Sequence, residues 1–144
     1  MLLAEVTADG VVATVVYGVV GAAMLAIGVV ALDMATPGSL SARLRQDRSW
    51  NAAVLTAANL LAVATIVATA GVTSTDDTLG EGILTMVVYG AIGIALQVGF
   101  LVAVERNLRP DLDEMLQRGP LDPLALALAA ASVALGIVTA VAVS

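Results

Sequence analysis

Apolar residues in this chain come in long unbroken blocks rather than in stripes. Residues 11–32, 51–75, 82–104 and 123–144 run for 22, 25, 23 and 22 positions without a charged side chain. A helix rises about 1.5 Å per residue, so 22 residues reach about 33 Å, against a bilayer hydrocarbon core of about 30 Å. Each block is long enough for one crossing with some tilt. Core helices of a soluble protein carry a polar face, and these blocks have none. Barrel strands are shorter and alternate. The pattern predicts an all-α, polytopic membrane protein. It is a single membrane domain over 1–144, with four transmembrane helices at about 11–32, 52–72, 82–104 and 123–143. The first block is preceded by Glu5 and Asp9 rather than by basic residues, and it exceeds the roughly 7–15 apolar residues of a secretory signal, so it is expected to stay as a span.

Composition narrows the chemistry. Only 12% of residues are charged and mean hydropathy is +1.00, whereas soluble domains average about 25% charged, which removes a water-soluble globule from consideration. There is no Cys and no His, and all six basic residues are Arg. Disulfides, Cys/His zinc sites, His-ligated haem, nucleophile–His pairs and lysine Schiff bases are therefore excluded. No cofactor or metal is expected, and no enzymatic activity. The wealth of Ala and Val without Lys fits a GC-rich genome or a salt-adapted proteome.

The Arg residues set an expected orientation. Arg43, Arg45 and Arg48 follow the first block; Arg106, Arg109 and Arg118 follow the third. Orientation follows basic residues in short loops rather than net charge. Both Arg loops are expected in the cytoplasm of a multi-pass plasma (inner) membrane protein. The middle loop, with Asp76, Asp77 and Glu81, and both termini are then outside. The second Arg loop holds five acidic residues against three Arg, net −2, so the chain's overall −6 says little about partners. Without a basic stripe, nucleic acid is not an expected partner.

The chain also reads as two copies of one unit, about 11–72 and about 82–143. At an offset of 72, Tyr17-Gly18-Val19-Val20-Gly21 falls on Tyr89-Gly90-Ala91-Ile92-Gly93 and Asp33 falls on Glu105. Thr36-Pro37-Gly38 comes near Arg109-Pro110-Asp111, and Asn51 near Asp122. A two-crossing unit returns to its starting side. The copies are then parallel hairpins about an axis along the membrane normal. Tyr-Gly early in the first helix, Asp33 with Thr36-Pro37 after it, and Trp50-Asn51-Ala52-Ala53-Val54 entering the second are similar to the YjfL-type bacterial membrane proteins. The second copy departs, with Arg109-Pro110 in place of Thr-Pro and Leu121-Asp122-Pro123-Leu124 in place of the Asn-Ala pattern. The resemblance spans nearly the whole chain on short motifs. It implies an integral membrane protein of four helices with no established activity, and it points weakly to envelope stress and polyamine-related gene neighbourhoods.

Between the helices, Pro37-Gly38 is expected to stop the first, and Ser39 to cap a short segment reaching about Arg48. Asp111-x-x-Glu114 looks like a capping box opening a matching segment, ended by Gly119-Pro120, with Leu112, Met115 and Leu116 on one face. Trp50 is placed to anchor the second span at headgroup level. Small residues let helix backbones approach in lipid. Gly18, Gly21 and Gly28 in the first helix and Gly90 and Gly93 in the third are expected at contacts, with those two helices meeting about the axis. Ala57, Ala58, Ala62 and Ala68 in the second helix, and Ala127, Ala130, Ala131 and Ala134 in the fourth, serve the same end.

Polar groups inside the spans are the best functional pointers. Asn59 and Gln97 are candidates for an interhelical clasp or for lining a polar path. Tyr17 and Tyr89 either reach the interface or bond across the bundle. Asp33 and Glu105 form a candidate pair of carboxylates about the axis, able to hold a cation or proton, or else are ordinary helix-end charges beside Arg. No charge falls at mid-membrane, which disfavours a proton pump or ion-coupled antiporter. Two functions lead, ahead of an intramembrane enzyme that would rely on carboxylates for acid–base work. One is a scaffold or accessory subunit that acts through helix packing and cytoplasmic-loop docking, as a homo-oligomer or with another membrane or cytoplasmic protein. The other is an oligomeric channel or transporter for a small solute or cation, using Asp33, Glu105, Asn59 and Gln97.

Overall fold

The computed structural model describes residues 8–36, 38–74, 78–117 and 119–144, apart from the side chains at 109–112. Among the described residues every regular element is helical: α1 (Ala8–Ala35), α2 (Leu40–Ala42) continued by a π-helical turn (Arg43–Asp47), α3 (Trp50–Thr73), α4 (Leu79–Leu116) and α5 (Pro123–Ala142). Four stretches are long and apolar enough to cross a membrane: Ala8–Ala35, Trp50–Thr73, Leu79–Leu108 and Pro123–Ala142. They carry the four expected spans to within a few residues.

The ends are set by local chemistry. Ser49 caps α3, its hydroxyl accepting from the Ala52 N–H at 3.2 Å, and leaves Trp50 as the exposed first residue. Thr78 caps α4, its hydroxyl accepting from the Glu81 N–H at 3.3 Å and donating to the Glu81 carboxylate at 2.8 Å. Asp122 caps α5, with Pro123 in the first turn, where its missing N–H leaves no bond unmade. After α1 the chain turns through Gly38 (φ 76°) and Ser39 (φ 59°), both left-handed. Pro37 lies outside the described residues. Ser39 caps α2 as expected.

The second break differs from expectation. Asp111 and Glu114 do not open the last segment, which starts earlier. The chain bends at Leu108 (φ −122°, ψ 18°) and continues helically to Leu116. Once Leu108 has broken the ladder, Pro110 stands in the first turn of the resumed helix, where no N–H is needed. No glycine follows it to permit the left-handed turn that closes α1. Met115 and Leu116 of this extension are buried against Leu40, Ala52, Leu55, Ala125 and Leu128.

α3 is the central helix. Of its most apolar window 44% is buried, against 17% for α1, which packs mainly on α3 and α4. The closest pair is α3 with α5. A Cβ on Gly136 would stand 2.6 Å from both Cα and Cβ of Ala62, so only glycine admits this approach. The face of α5 that does this comprises Ala125, Ala129, Ser132, Gly136 and Ala140, whereas Ala127, Ala130 and Ala134 are exposed. In α3, Ala58 and Ala62 are buried while Ala57 and Ala68 face outward. The bundle is therefore centred on the second and fourth spans rather than on the first and third. The first and third do touch. Gly90 is filled by Met24, and Gly28 lies against Val63 and Ile94.

Those contacts fix a register. Met24 against Gly90 and Gly28 against Ile94 are both offsets of 66, while the repeat expected from the sequence has an offset of 72. Tyr17 beside Gly82, at 65, agrees. α1 is thus displaced along its axis by about six residues, or about 9 Å, from the position equivalent to α4. Between α3 and α5, Asn51 meets Asp122 at an offset of 71, close to the expected 72. The equivalent glycines consequently differ: Gly90 is buried, whereas a Cβ on Gly18 would meet nothing within 4 Å. Gly18 is not a packing position; Gly21, Gly28, Gly90 and Gly93 are.

Candidate functional site

Asn59 and Gln97 meet in the bundle interior, only 2% and 1% exposed. Gln97 Nε2 donates to the Ser132 carbonyl at 3.3 Å and to Asn59 Oδ1 at 3.5 Å, joining α4, α5 and α3. Neither amide is complete. Asn59 Nδ2 and Gln97 Oε1 are buried without a partner. Tyr17 also bonds across the bundle, its hydroxyl donating to the Ser74 carbonyl at 3.1 Å. Its repeat partner Tyr89 is exposed on the outer face of α4.

Asp33 and Glu105 are not brought into a symmetric pair. The register places Asp33 level with about residue 99, so Glu105 lies about 9 Å further toward the Arg-bearing end. Asp33 is instead wrapped by the chain that follows it. Its carboxylate accepts from Ser41 N at 2.8 Å, Ser39 Oγ at 3.0 Å and Ser41 Oγ at 3.1 Å. Gly28 against Val63 also puts Asp33 at the height of Ala58, about 12 Å short of Trp50 at the start of α3. The recess this leaves beyond α1 is roofed by α2 and the π-helical turn. Glu105 is half-buried on α4.

The Arg residues separate into distinct settings. Arg43 Nη2 pairs with Asp113 at 3.1 Å and ties the π-helical turn to the end of α4, while its Nε is buried without a partner. Arg45 lines a groove with Asp33 and Asn59. Arg48 is exposed, with left-handed backbone (φ 50°), and Arg106 is exposed on α4. Arg118 and the Arg109 side chain lie outside the described residues, as do Asp76 and Asp77.

Sequence reasoning gave Asn51 no site role, yet it makes three hydrogen bonds at this end. It is 2% exposed; its Nδ2 donates to the carbonyls of Met115 (2.8 Å) and Pro120 (3.2 Å), and its Oδ1 accepts from Asp122 N (2.8 Å). The available signal was an amide one residue inside a span. Ser132 and Gly136 were also passed over, although Gly136 is the one glycine of α5.

No group of three or more metal-ligating side chains occurs among the described residues. The site offers amide donors and acceptors, one hydrogen-bonded carboxylate and a guanidinium around an apolar groove. That arrangement can bind and position.

Comparison with known proteins bears on the whole chain. The chain is 36% identical over 135 residues to a UPF0719 transmembrane protein of Mycolicibacterium paratuberculosis, covering 94% of this chain and 89% of that one. It is 38% identical to UPF0719 transmembrane proteins of Mycobacterium bovis and Mycobacterium tuberculosis, covering 94% of this chain and 88% of each. No solved structure matches. The model of the family described as Domain of Unknown Function (DUF350) matches residues 5–143, and with four helices able to span a membrane this chain belongs to that family, as a multi-pass membrane protein.

Proposed function

We propose that this protein is a small scaffold or accessory subunit of the plasma membrane, with its Arg-bearing end in the cytoplasm and both termini outside. The observation that carries this reading is how its interior polar groups are used. Asn51, Gln97 and Tyr17 bond to neighbouring helices and loops and hold the bundle together. At the Arg-bearing end, α2, the π-helical turn and the end of α4 form a surface that carries both Arg and Asp side chains, tied by Arg43–Asp113. A partner docks there, and a second copy or another membrane protein packs on the exposed aliphatic face of α1, including Val15, Val19 and Ile27. The YjfL-type resemblance agrees with this reading, and envelope stress is the setting it points to.

The test is a photo-crosslinking residue at Val19 or Arg48 in cells, followed by native mass spectrometry of the product with its lipid. A discrete protein partner, or a second copy, of fixed stoichiometry supports the scaffold. An uncomplexed protein that conducts ions or solutes in proteoliposomes, with flux lost in Asp33→Asn/Glu105→Gln, overturns it in favour of a channel.

A further inference from the structure

Two polar groups at the Arg-bearing end are left without partners, and both line one groove. α1 and α3 touch at Gly28 and Val63 and diverge beyond that contact, enclosing about 370 Å³ under α2 and the π-helical turn. The walls are aliphatic, from Leu32 of α1 and Leu60 of α3. Val29 and Val30 also line the groove and are exposed on α1, so it opens on the outer side of a membrane-spanning helix.

The first unpartnered group is an amide N–H. Asn59 is 2% exposed and its Oδ1 accepts from Gln97, while its Nδ2 is buried without a partner. Gln97 Oε1 is unpaired as well, so the two amides do not complete each other. A buried donor without an acceptor is costly, and a ligand that brings an acceptor removes the cost. The second group is Arg45, which is exposed and which no ion pair occupies among the described residues. Asp33 differs from both. Its carboxylate accepts from Ser39 Oγ, Ser41 Oγ and Ser41 N–H, and the Leu40 backbone adds a fourth donor. It holds the roof and offers nothing to a ligand.

These groups lie in a fixed order. The Gly28–Val63 contact sets Asn59 level with Leu32, one residue deeper than Asp33, and Arg45 is carried by the roof beyond Asp33. From the water inward the groove presents a guanidinium, a carboxylate filled by its own donors, an amide N–H and aliphatic surface. A glycerophospholipid carries a phosphate, an uncharged glycerol, an ester carbonyl and an acyl chain in the same order. We propose that the groove binds one glycerophospholipid, recognised at its phosphate by Arg45 and at one ester carbonyl by Asn59 Nδ2. The glycerol passes Asp33, the acyl chain follows Leu60 and Val29, and the headgroup beyond the phosphate stays outside and is not recognised. A guanidinium and a phosphate form charge-assisted bonds. The lipid comes from the bilayer that surrounds the spans.

The test reconstitutes the full chain in vesicles of equal parts ester-linked phosphatidylglycerol, its dialkyl-ether analogue and a diacyl galactolipid, then releases it for native mass spectrometry. The expected result is one ester-linked phosphatidylglycerol retained per chain. Its excess is about five-fold over the ether, which lacks the carbonyl, and about ten-fold over the galactolipid, which lacks the phosphate. Each variant erases one preference and keeps the other. Asn59→Leu makes ester and ether equal, and Arg45→Gln makes phosphatidylglycerol and galactolipid equal. Arg45→Gln, at an exposed position, keeps the test decisive if Asn59→Leu does not fold. Phosphatidylethanolamine in place of phosphatidylglycerol is retained to the same extent. Equal retention of ester and ether by the parent protein, or a preference for phosphate that survives Arg45→Gln, overturns the proposal. Displacement of the lipid by inorganic phosphate also overturns it, and reassigns Arg45 to the free anion. Because the readout is bound lipid, it is independent of whether a protein partner is found.

Discussion

The side-chain oxygen of Asn51 accepts the backbone N–H of Asp122 at 2.8 Å, so two residues 71 positions apart join the entries of α3 and α5. The same side chain donates to the carbonyls of Met115 and Pro120. One amide thus fastens the start of α3 to both ends of the segment that joins α4 to α5. Replacing it with Ala strands a buried N–H and two carbonyls, at about 1–3 kcal/mol for each group that water does not reach. Asn51→Ala is expected to lower stability by about 2–4 kcal/mol, read as a fall in the melting temperature of detergent-solubilised protein. Asn51→Asp is expected to be at least as damaging, because it turns carboxylate oxygens toward two carbonyls. Melting unchanged by either variant would show that the latch is not formed.

The Gly136–Ala62 contact supports a paired prediction. In Gly136→Ala the new methyl meets Ala62 backbone at 2.6 Å, and backbone cannot turn aside as a flexible side chain can. Overpacking of this kind costs about 1–3 kcal/mol, and separating α3 from α5 strips contacts from the central helix. Gly18→Ala is the control. It sits mid-helix with nothing within 4 Å, so it is neutral or stabilising by up to about 1 kcal/mol through helix propensity. Unfolding in graded SDS measures both. Equal effects from the two substitutions would argue against the close crossing.

Much of this fold was legible in the sequence because the membrane imposes a length on every span and excludes charge from it. Ser39, which caps α2, and Trp50, which opens α3, could be read from local chemistry. What could not be read was which helices sit closest. Small residues on Ala127 and Gly18 resemble those on Ala129 and Gly28, and only the tertiary approach separates them. Asp111 looks like a helix start because local reading cannot see that the bend comes earlier, at Leu108. The carboxylates Asp33 and Glu105 align in sequence at an offset of 72 but do not share a depth, since the position of α1 comes from how Met24 fills Gly90 and how Gly28 seats Val63. A repeat alignment carries no information on such a slide.

The amide pair offers a third prediction. The bonds from Gln97 to Asn59 and Ser132 are long, 3.5 and 3.3 Å, and Gln97 Oε1 is itself unpaired. Interhelical hydrogen bonds in membranes average about 0.6 kcal/mol. Gln97→Leu removes a buried unpaired carbonyl together with the weak bonds, so its cost is expected to stay below about 1 kcal/mol. A double-mutant cycle with Asn59→Leu is expected to give a coupling of about 0.5 kcal/mol. A coupling above about 2 kcal/mol would mean that the amides pair through geometry closer than that seen here.

The roof over the recessed end of α1 depends on Asp33. Ser41 N–H, Ser41 Oγ and Ser39 Oγ all donate to its carboxylate, while Ser39 Oγ also accepts from the Ala42 N–H at 3.4 Å as the cap of α2. Beyond these bonds the segment is held by buried Leu40 and by the Arg43–Asp113 pair, whose carboxylate is 47% exposed and so contributes little. Hydrogen bonds to a charged group are worth about 1.5–3 kcal/mol. Asp33→Ala is therefore expected to raise amide exchange across residues 39–47 by about ten-fold or more, since 1.4 kcal/mol is a factor of ten. Asp33→Asn keeps an acceptor for the Ser41 N–H and is expected to fall between the two. Exchange in α3 and α5 stays as in the parent, because none of these bonds reaches them. Hydrogen–deuterium exchange in nanodiscs reads all three proteins. Uniform acceleration over the whole chain would show that Asp33 supports the bundle itself, and no change at 39–47 would show that the roof is held by its apolar contacts alone.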